Sequence, residues 1–148
     1  MAWATDVTEF KVADRKAYLS PILDMFNGEI ISYTISDRPD LKMVIDMMHS
    51  AKHKVRNTEG IILHSDQGWH YQHKLYQKTL KDYGITQSMS RKGNCLDNAV
   101  MENFFGIMKS ELLYLQKFSD MDDFKKQLKK YIHYYNNERI KLRLNGKS

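Results

Sequence analysis

Apolar and polar residues alternate in short runs over the first 35 residues, then recur at three-to-four spacing through most of the rest. Residues 2–10, 17–26 and 29–35 are rich in Val, Ile, Leu, Tyr, Phe and Thr and read as strands. Residues 11–16 are polar and turn-like, and Asn27-Gly28, the strongest short hairpin signal, lies between the second and third runs. An antiparallel three-stranded meander is expected. Over residues 40–53, Leu41, Val44, Ile45 and Met48 repeat at helical spacing behind Pro39. Residues 60–64 form a short apolar run ended by Ser65-Asp66-Gln67-Gly68, the pattern of a buried strand. Residues 71–83 place Leu75, Tyr76, Leu80 and Tyr83 on one side of a helix, with Gly84 where a C-terminal glycine belongs. Residues 85–89 suit one more strand, residues 90–96 a polar basic loop, and residues 97–115 and 121–137 two closing helices. A meander followed by alternating helices and strands implies the α/β class, a mixed sheet with helices on both faces. No Pro-, Gly- or Ser-rich linker interrupts the chain, so residues 1–148 read as one domain.

Composition narrows the function classes. A chain of 148 residues can bury a real core without staples. No apolar run approaches the ~20 residues of a membrane span, and Asp6 stands where the hydrophobic segment of a secretory signal would begin. The single cysteine, Cys95, cannot close an intrachain disulfide, so a reducing, cytoplasmic setting is the default. The six histidines have no cysteine pair beside them, which argues against a zinc site. The net charge of +5, with its cations crowded between Lys109 and Lys147, permits a polyanionic partner without demanding one.

Three acids occupy awkward positions. Asp6 lies within a strand-like run between Thr5 and Val7, where strand propensity disfavours aspartate. Asp66 follows an apolar strand directly, the usual station for a catalytic group in a sheet covered by helices. Glu102 falls one turn into a helix, on a face with Asn98, Gly106 and Lys109, beside the apolar stripe of Met101, Phe105, Met108 and Leu112. Three converging carboxylates could hold two hard divalent ions ~3.5–4 Å apart. Acids that cluster without a metal should instead show raised pKa values. Singly, each has an ordinary reading: a strand-end acid, a turn former, a solvated helix acid paired with Lys109.

Their surroundings carry a resemblance. The strings Trp3-Ala4-Thr5-Asp6-Val7-Thr8 and His64-Ser65-Asp66-Gln67-Gly68-Trp69-His70-Tyr71 resemble bacterial insertion-sequence transposases. So do the segment from Ser88 through Arg91-Lys92-Gly93-Asn94 and Glu102 to Phe105, and the tail Tyr134-Tyr135-Asn136-Asn137-Glu138-Arg139. The group is the OrfB type of the insertion-sequence-three family, whose core is similar to retroviral integrases. Between Asp66 and Glu102 lie 35 residues, the spacing of the integrase-like triad of two aspartates and a glutamate. The resemblance implies an RNase H-like fold, a five-stranded mixed sheet flanked by helices on both faces. Asp6 would sit on the first strand, Asp66 just after the fourth, and Glu102 on the helix after the fifth.

The activity it implies is that of a metal-dependent polynucleotidyl transferase, using Mg²⁺ or Mn²⁺ held by Asp6, Asp66 and Glu102. Water attacks at the element's end to free a 3′-OH, which then attacks another phosphodiester in line; no covalent protein–DNA intermediate forms. The implied partners are transposon-end and target DNA and further copies of the chain, with no small-molecule cofactor and no membrane. Family members carry an N-terminal region that recognises the element ends, so the chain is expected to be an excised core. Where many relatives have His after the tail arginine, this chain has Ile140-Lys141-Leu142, to which no catalytic consequence attaches.

Several further residues have a functional and a plain reading. Arg91, Lys92, Asn94 and Asn98 are expected to contact DNA phosphates, or else to form a solvated loop leading into a helix. Lys109, on the Glu102 face, is expected to touch DNA ends, as a lysine there does in integrase-like proteins. Lysines 125–130 read as a solvated face. His64 and His70 flank Asp66 and either orient its surroundings or pack. Trp3, Trp69, Tyr131, Tyr134 and Tyr135 read mostly as core or interface, with stacking on splayed bases as the alternative. Two rivals stay open: a nuclease of the same fold that cuts without joining, and an inactive DNA-binding or multimerising module.

Overall fold

The computed structural model describes residues 1–90, 98–115 and 117–144. In chain order its elements are β1 (Ala2–Thr5), β2 (Thr8–Val12), β3 (Arg15–Asp24), β4 (Ile30–Ser36), α1 (Leu41–Lys54), β5 (Ile62–Ser65), α2 (Trp69–Gln72), α3 (Lys74–Asp82), β6 (Thr86–Met89), α4 (Asn98–Leu115) and α5 (Met121–Leu144).

These strand segments lie along five lines. Both β1 and β2 pair antiparallel with β3, Thr5 opposite Ile22 and Thr8 opposite Leu19. The register is unbroken across the gap, so Asp6 falls opposite Pro21. The single strand expected over residues 2–10 is therefore interrupted at Asp6 and Val7, and its line runs on to Val12. Pro21 explains the interruption: it has no N–H to give to the ladder, and its carbonyl accepts Thr5 Oγ1 at 2.8 Å. On the far side of β3 lies β4, antiparallel, while β5 and then β6 extend the sheet parallel to β1. The order β4-β3-β1/β2-β5-β6 is the expected mixed sheet.

Alternation along the strands divides the core into two layers. Trp3, Ile22 and Leu63 pack with Met43, Val44 and Met47 of α1 and with Tyr76 and Leu80 of α3. Ala4, Phe10, Leu19 and Leu23 face the other way, against Met101, Phe105 and Met108 of α4 and Phe124 and Leu128 of α5. Each fully buried side chain of this size contributes roughly 1.5–3 kcal/mol, so the two layers fix which face each helix covers.

Local chemistry sets the boundaries. Asp40 accepts the Met43 N–H at 3.1 Å and caps α1. The helix expected over residues 71–83 starts earlier, at Trp69, and breaks at His73, whose Nδ1 accepts the Leu75 N–H at 3.1 Å and starts α3 afresh. That cap turns Leu75, expected on the apolar side, out to solvent. Gly84, at φ +72°, closes α3 as its position suggests. Between β3 and β4 the chain makes a five-residue loop rather than a two-residue hairpin. Asp24 Oδ1 accepts the N–H groups of Phe26 and Asn27, and Asn27 Oδ1 accepts that of Glu29.

The tail docks onto that loop. The N–H of Ile30 donates to Asn136 Oδ1 at 2.8 Å, and Asn136 Nδ2 donates to the Ile30 carbonyl at 3.0 Å. Arg139 donates to the Tyr135 hydroxyl and lies against Gly28, where a Cβ would come within 3.2 Å of the guanidinium carbon. The helix α5 runs past its expected end at residue 137 to Leu144. Among the described residues no helix is long and apolar enough to cross a membrane.

Candidate active site

Register and parity bring the two aspartates together. Ala4 lies beside His64 in the parallel pairing of β1 with β5, so two residues on, Asp6 and Asp66 stand side by side where both strands end. Asp6 continues the parity of Ala4, which points at α4, and Asp66 that of His64 opposite it. The expected place of Asp6 on the first strand is thus corrected by one residue. It sits just past β1, in the break opposite Pro21. The missing ladder bond frees the local backbone, and Asp6 Oδ1 accepts the N–H of Val7 at 2.8 Å.

Asp66 is held by the turn that follows it. Its Oδ1 accepts the Gly68 N–H at 2.8 Å, and a Cβ at Gly68 would come within 3.0 Å of that oxygen. The Ser65 carbonyl, just before Asp66, accepts the Ser90 N–H at 2.9 Å, so the end of β6 is tied to the same corner. Glu102 is exposed, one residue past the buried Met101 that seats α4 on the sheet.

Electrostatics ties all three acids into one group. The Asp6 carboxyl is pushed up to about 7. Burial is the largest cause, opposed by the Val7 N–H; the charges of Asp66 and Glu102 and a hydrogen bond with Glu102 add to the rise. A buried tyrosine backs the pair: the Tyr71 phenol is held far above its ordinary value by burial, with Tyr76, Asp6 and Asp66 contributing. It therefore stays neutral beside the aspartates. Nothing in the sequence pattern marked Tyr71 for this place beyond its position after Asp66; only the α2 turn folds it beneath the carboxylates.

The donor set is three carboxylates, all oxygen, which suits a hard divalent cation. Among the described residues, no three His, Cys, Asp or Glu side chains are drawn close enough to grip an ion as they stand. The fit therefore rests on donor chemistry and on the raised Asp6 carboxyl, the response of a buried acid among like charges.

Other sequence-derived candidates fare differently. Arg91, Lys92, Asn94 and the side chain of Asn98 lie outside the described residues. Lys109 is described, and its ammonium donates to the Glu9 carbonyl at 3.2 Å and lies 5.2 Å from the Phe10 ring centroid. It is seven residues from Glu102, about 10 Å along the helix, and is engaged with β2 rather than with the carboxylates. His70 has a packing role: it is buried, and its Nε2 lies 2.6 Å from the Pro39 carbonyl.

Comparison with known proteins fits this geometry. Residues 1–95 match a family model described as Integrase core domain, and residues 102–148 match a second model of the same description. The chain is 56% identical over 144 residues to a putative transposase, InsK, for insertion sequence element IS150 of Escherichia coli, covering 97% of this chain and 51% of that protein. It is 50% identical over 146 residues to a transposase-like protein of Haemophilus influenzae, covering 99% and 67%. The chain thus spans about half to two-thirds of the length of these relatives. Among solved structures, the integrase catalytic core of HTLV-2 in complex with magnesium, in its dimeric form, superposes with a TM-score of 0.65 at 21% identity, covering 86% of this chain and 81% of that one. A chain of the simian T-cell lymphotropic virus intasome superposes with a TM-score of 0.71 at 20% identity, covering 86% and 46%. At that identity the likeness carries the fold alone, and the fold is the RNase H-like one.

Proposed function

This chain belongs to the integrase core domain family, in its insertion-sequence transposase branch, and from that membership we propose that it is the catalytic core of a DNA transposase. Asp6, Asp66 and Glu102 are its reaction centre. The observation that carries the reading is the shared electrostatics of these acids, with Asp6 pushed up to about 7 beside the other two. Structural acids are ordinarily paired with cations or solvated, whereas the half-buried Asp6 and Asp66 beside an exposed Glu102 set like charges near one another, a cost that a bound cation would offset.

Divalent ions held by the three carboxylates, Mg²⁺ with Mn²⁺ as substitute, would supply activation of an attacking oxygen and stabilisation of the leaving one. The protein's own part is placement. Parallel pairing of β1 and β5 ends both strands just before Asp6 and Asp66, the Gly68 N–H fixes the Asp66 carboxylate, and the charges of Asp66 and of Glu102 on α4 act on Asp6. The absence of a hydrogen-bond donor at Pro21 leaves Asp6 outside the sheet ladder, available to ligate. Water and then a DNA 3′-OH are the attacking groups in this reading, so no serine, tyrosine or cysteine nucleophile is needed.

DNA is the proposed substrate, with Arg91, Lys92, Asn94, Asn98 and Lys109 as backbone contacts and a homo-oligomer holding two ends together. Residues 1–148 would act as one catalytic domain of a longer protein. The decisive experiment pairs Asp66→Asn with a joining assay on a pre-cut 3′-OH end in Mg²⁺ or Mn²⁺. The variant is expected to keep its fold and melting temperature and to lose cleavage and joining by at least about a thousandfold, the scale of removing an electrostatic stabiliser. Retained activity in the folded variant would sink the assignment, and cutting without joining by the unaltered protein would make it a nuclease.

A further inference from the structure

Trp69 has an uncommon setting. It is the first residue of α2, three residues past Asp66, and it is 56% exposed. Exposure alone says little, since single apolar residues are common on surfaces. What distinguishes this indole is its support. One side of the ring system rests on His70, with centroids 3.9 Å apart and planes 27° from parallel. His70 is itself buried and pinned, its Nε2 lying 2.6 Å from the Pro39 carbonyl. The backbone beneath is equally tied: the Gly68 N–H donates to Asp66 Oδ1, and the Gly68 carbonyl accepts the Tyr71 N–H at 3.0 Å. A single turn therefore carries a reaction-centre carboxylate and a large flat ring held in place with much of its surface in water.

We propose that Trp69 is a stacking platform for one unpaired nucleobase of the DNA strand whose phosphodiester lies at Asp6, Asp66 and Glu102. The inference rests on the DNA-processing reading above. Every nucleobase has a π-face, so such a platform is tolerant of sequence; it needs a base that has left the duplex stack. A ring already fixed by His70 loses little freedom when a base settles on it, which is what lets one contact register as affinity. The contact would also set how far the strand lies from the carboxylates, making Trp69 a substrate-positioning residue.

The test uses the 148-residue chain and a fluorescein-labelled duplex ending in a short single-stranded 3′ overhang, with binding read by anisotropy in Mg²⁺. Trp69→Leu is expected to bind about tenfold more weakly, the effect of losing one base stack, while Trp69→Phe keeps most of the affinity. An abasic nucleotide walked along the overhang should weaken the unaltered protein about tenfold at one position and leave Trp69→Leu unaffected there. The intrinsic fluorescence offers a second readout. Trp3 is fully buried, so quenching on DNA addition should come from Trp69 and vanish in Trp69→Leu. Equal binding by Trp69→Leu and the unaltered protein, or abasic losses that are the same in both, would overturn the stacking role and leave the DNA reading standing. A variant that alters only the sedimentation coefficient would make this surface a protein contact instead. If the unaltered protein binds no DNA, the functional reading itself falls, and this inference with it.

Discussion

At Asp6, burial and neighbouring charge act in the same direction. Both favour the protonated acid, and its pKa of about 7 in the fold stands above the ordinary 3.8. The stability this group contributes in the absence of metal is fully present below the unfolded value and is lost as pH rises through 7. Metal-free protein should therefore melt at lower temperature at pH 8 than at pH 5.5, and Asp6→Asn should flatten that part of the decline. If Asp6 helps hold Mg²⁺ as proposed, the cation competes with the proton on that carboxyl, and the rise in melting temperature on adding Mg²⁺ should be larger at pH 8 than at pH 5.5. Matching pH profiles for the unaltered protein and Asp6→Asn would show that Asp6 is not the group responsible.

Between α5 and the β3–β4 loop, one side chain stands in for a missing strand neighbour. Asn136 satisfies both backbone groups of Ile30, a residue 1% exposed, from 106 positions along the chain. Asn136→Ala would leave a buried donor and a buried acceptor unpaired, a loss of about 2–3 kcal/mol. Asn136→Asp would keep the acceptor for the Ile30 N–H and lose the donor, giving an intermediate loss. Urea midpoints at constant slope would measure both, and an unchanged midpoint for Asn136→Ala would remove the anchor. The Tyr-Tyr-Asn-Asn-Glu-Arg tail resembled a family motif as sequence, and the structure gives its Tyr135, Asn136 and Arg139 a docking role. No periodicity in α5 signals that, because the partner is a backbone group far away in sequence.

Over the whole molecule, a net charge of +5 is too small to prove a polyanionic partner, and its placement matters more. If Arg91 and Lys92 each neutralise one DNA phosphate, replacing both with alanine should reduce the magnitude of the salt dependence, d log K against d log salt, by about 1.8. A slope that does not move would take these two residues off the DNA backbone. Lys109, whose ammonium donates to the Glu9 carbonyl and lies over the Phe10 ring, would have to leave those contacts to add to that slope.

Local pattern was sufficient for the element types and the α/β class, because strand and helix periods and turn residues act over a few neighbours, while the three acids were singled out by the resemblance of their surroundings. The Asp66 turn, the Gly84 helix end and the apolar stripe of α4 were all legible in this way. Long-range pairing was not. That Pro21 would face Asp6 and split the first strand depends on the register of β3 against β1, set by which face each strand buries. That His73 would restart a helix, turning Leu75 outward, depends on a side chain choosing a backbone partner over solvent. The electrostatic coupling of Asp6 to Asp66 and Glu102 follows from the same cause: parallel pairing of β1 with β5 and the seating of α4 through Met101 and Phe105 bring within reach groups that 35 residues or more of chain keep apart in sequence.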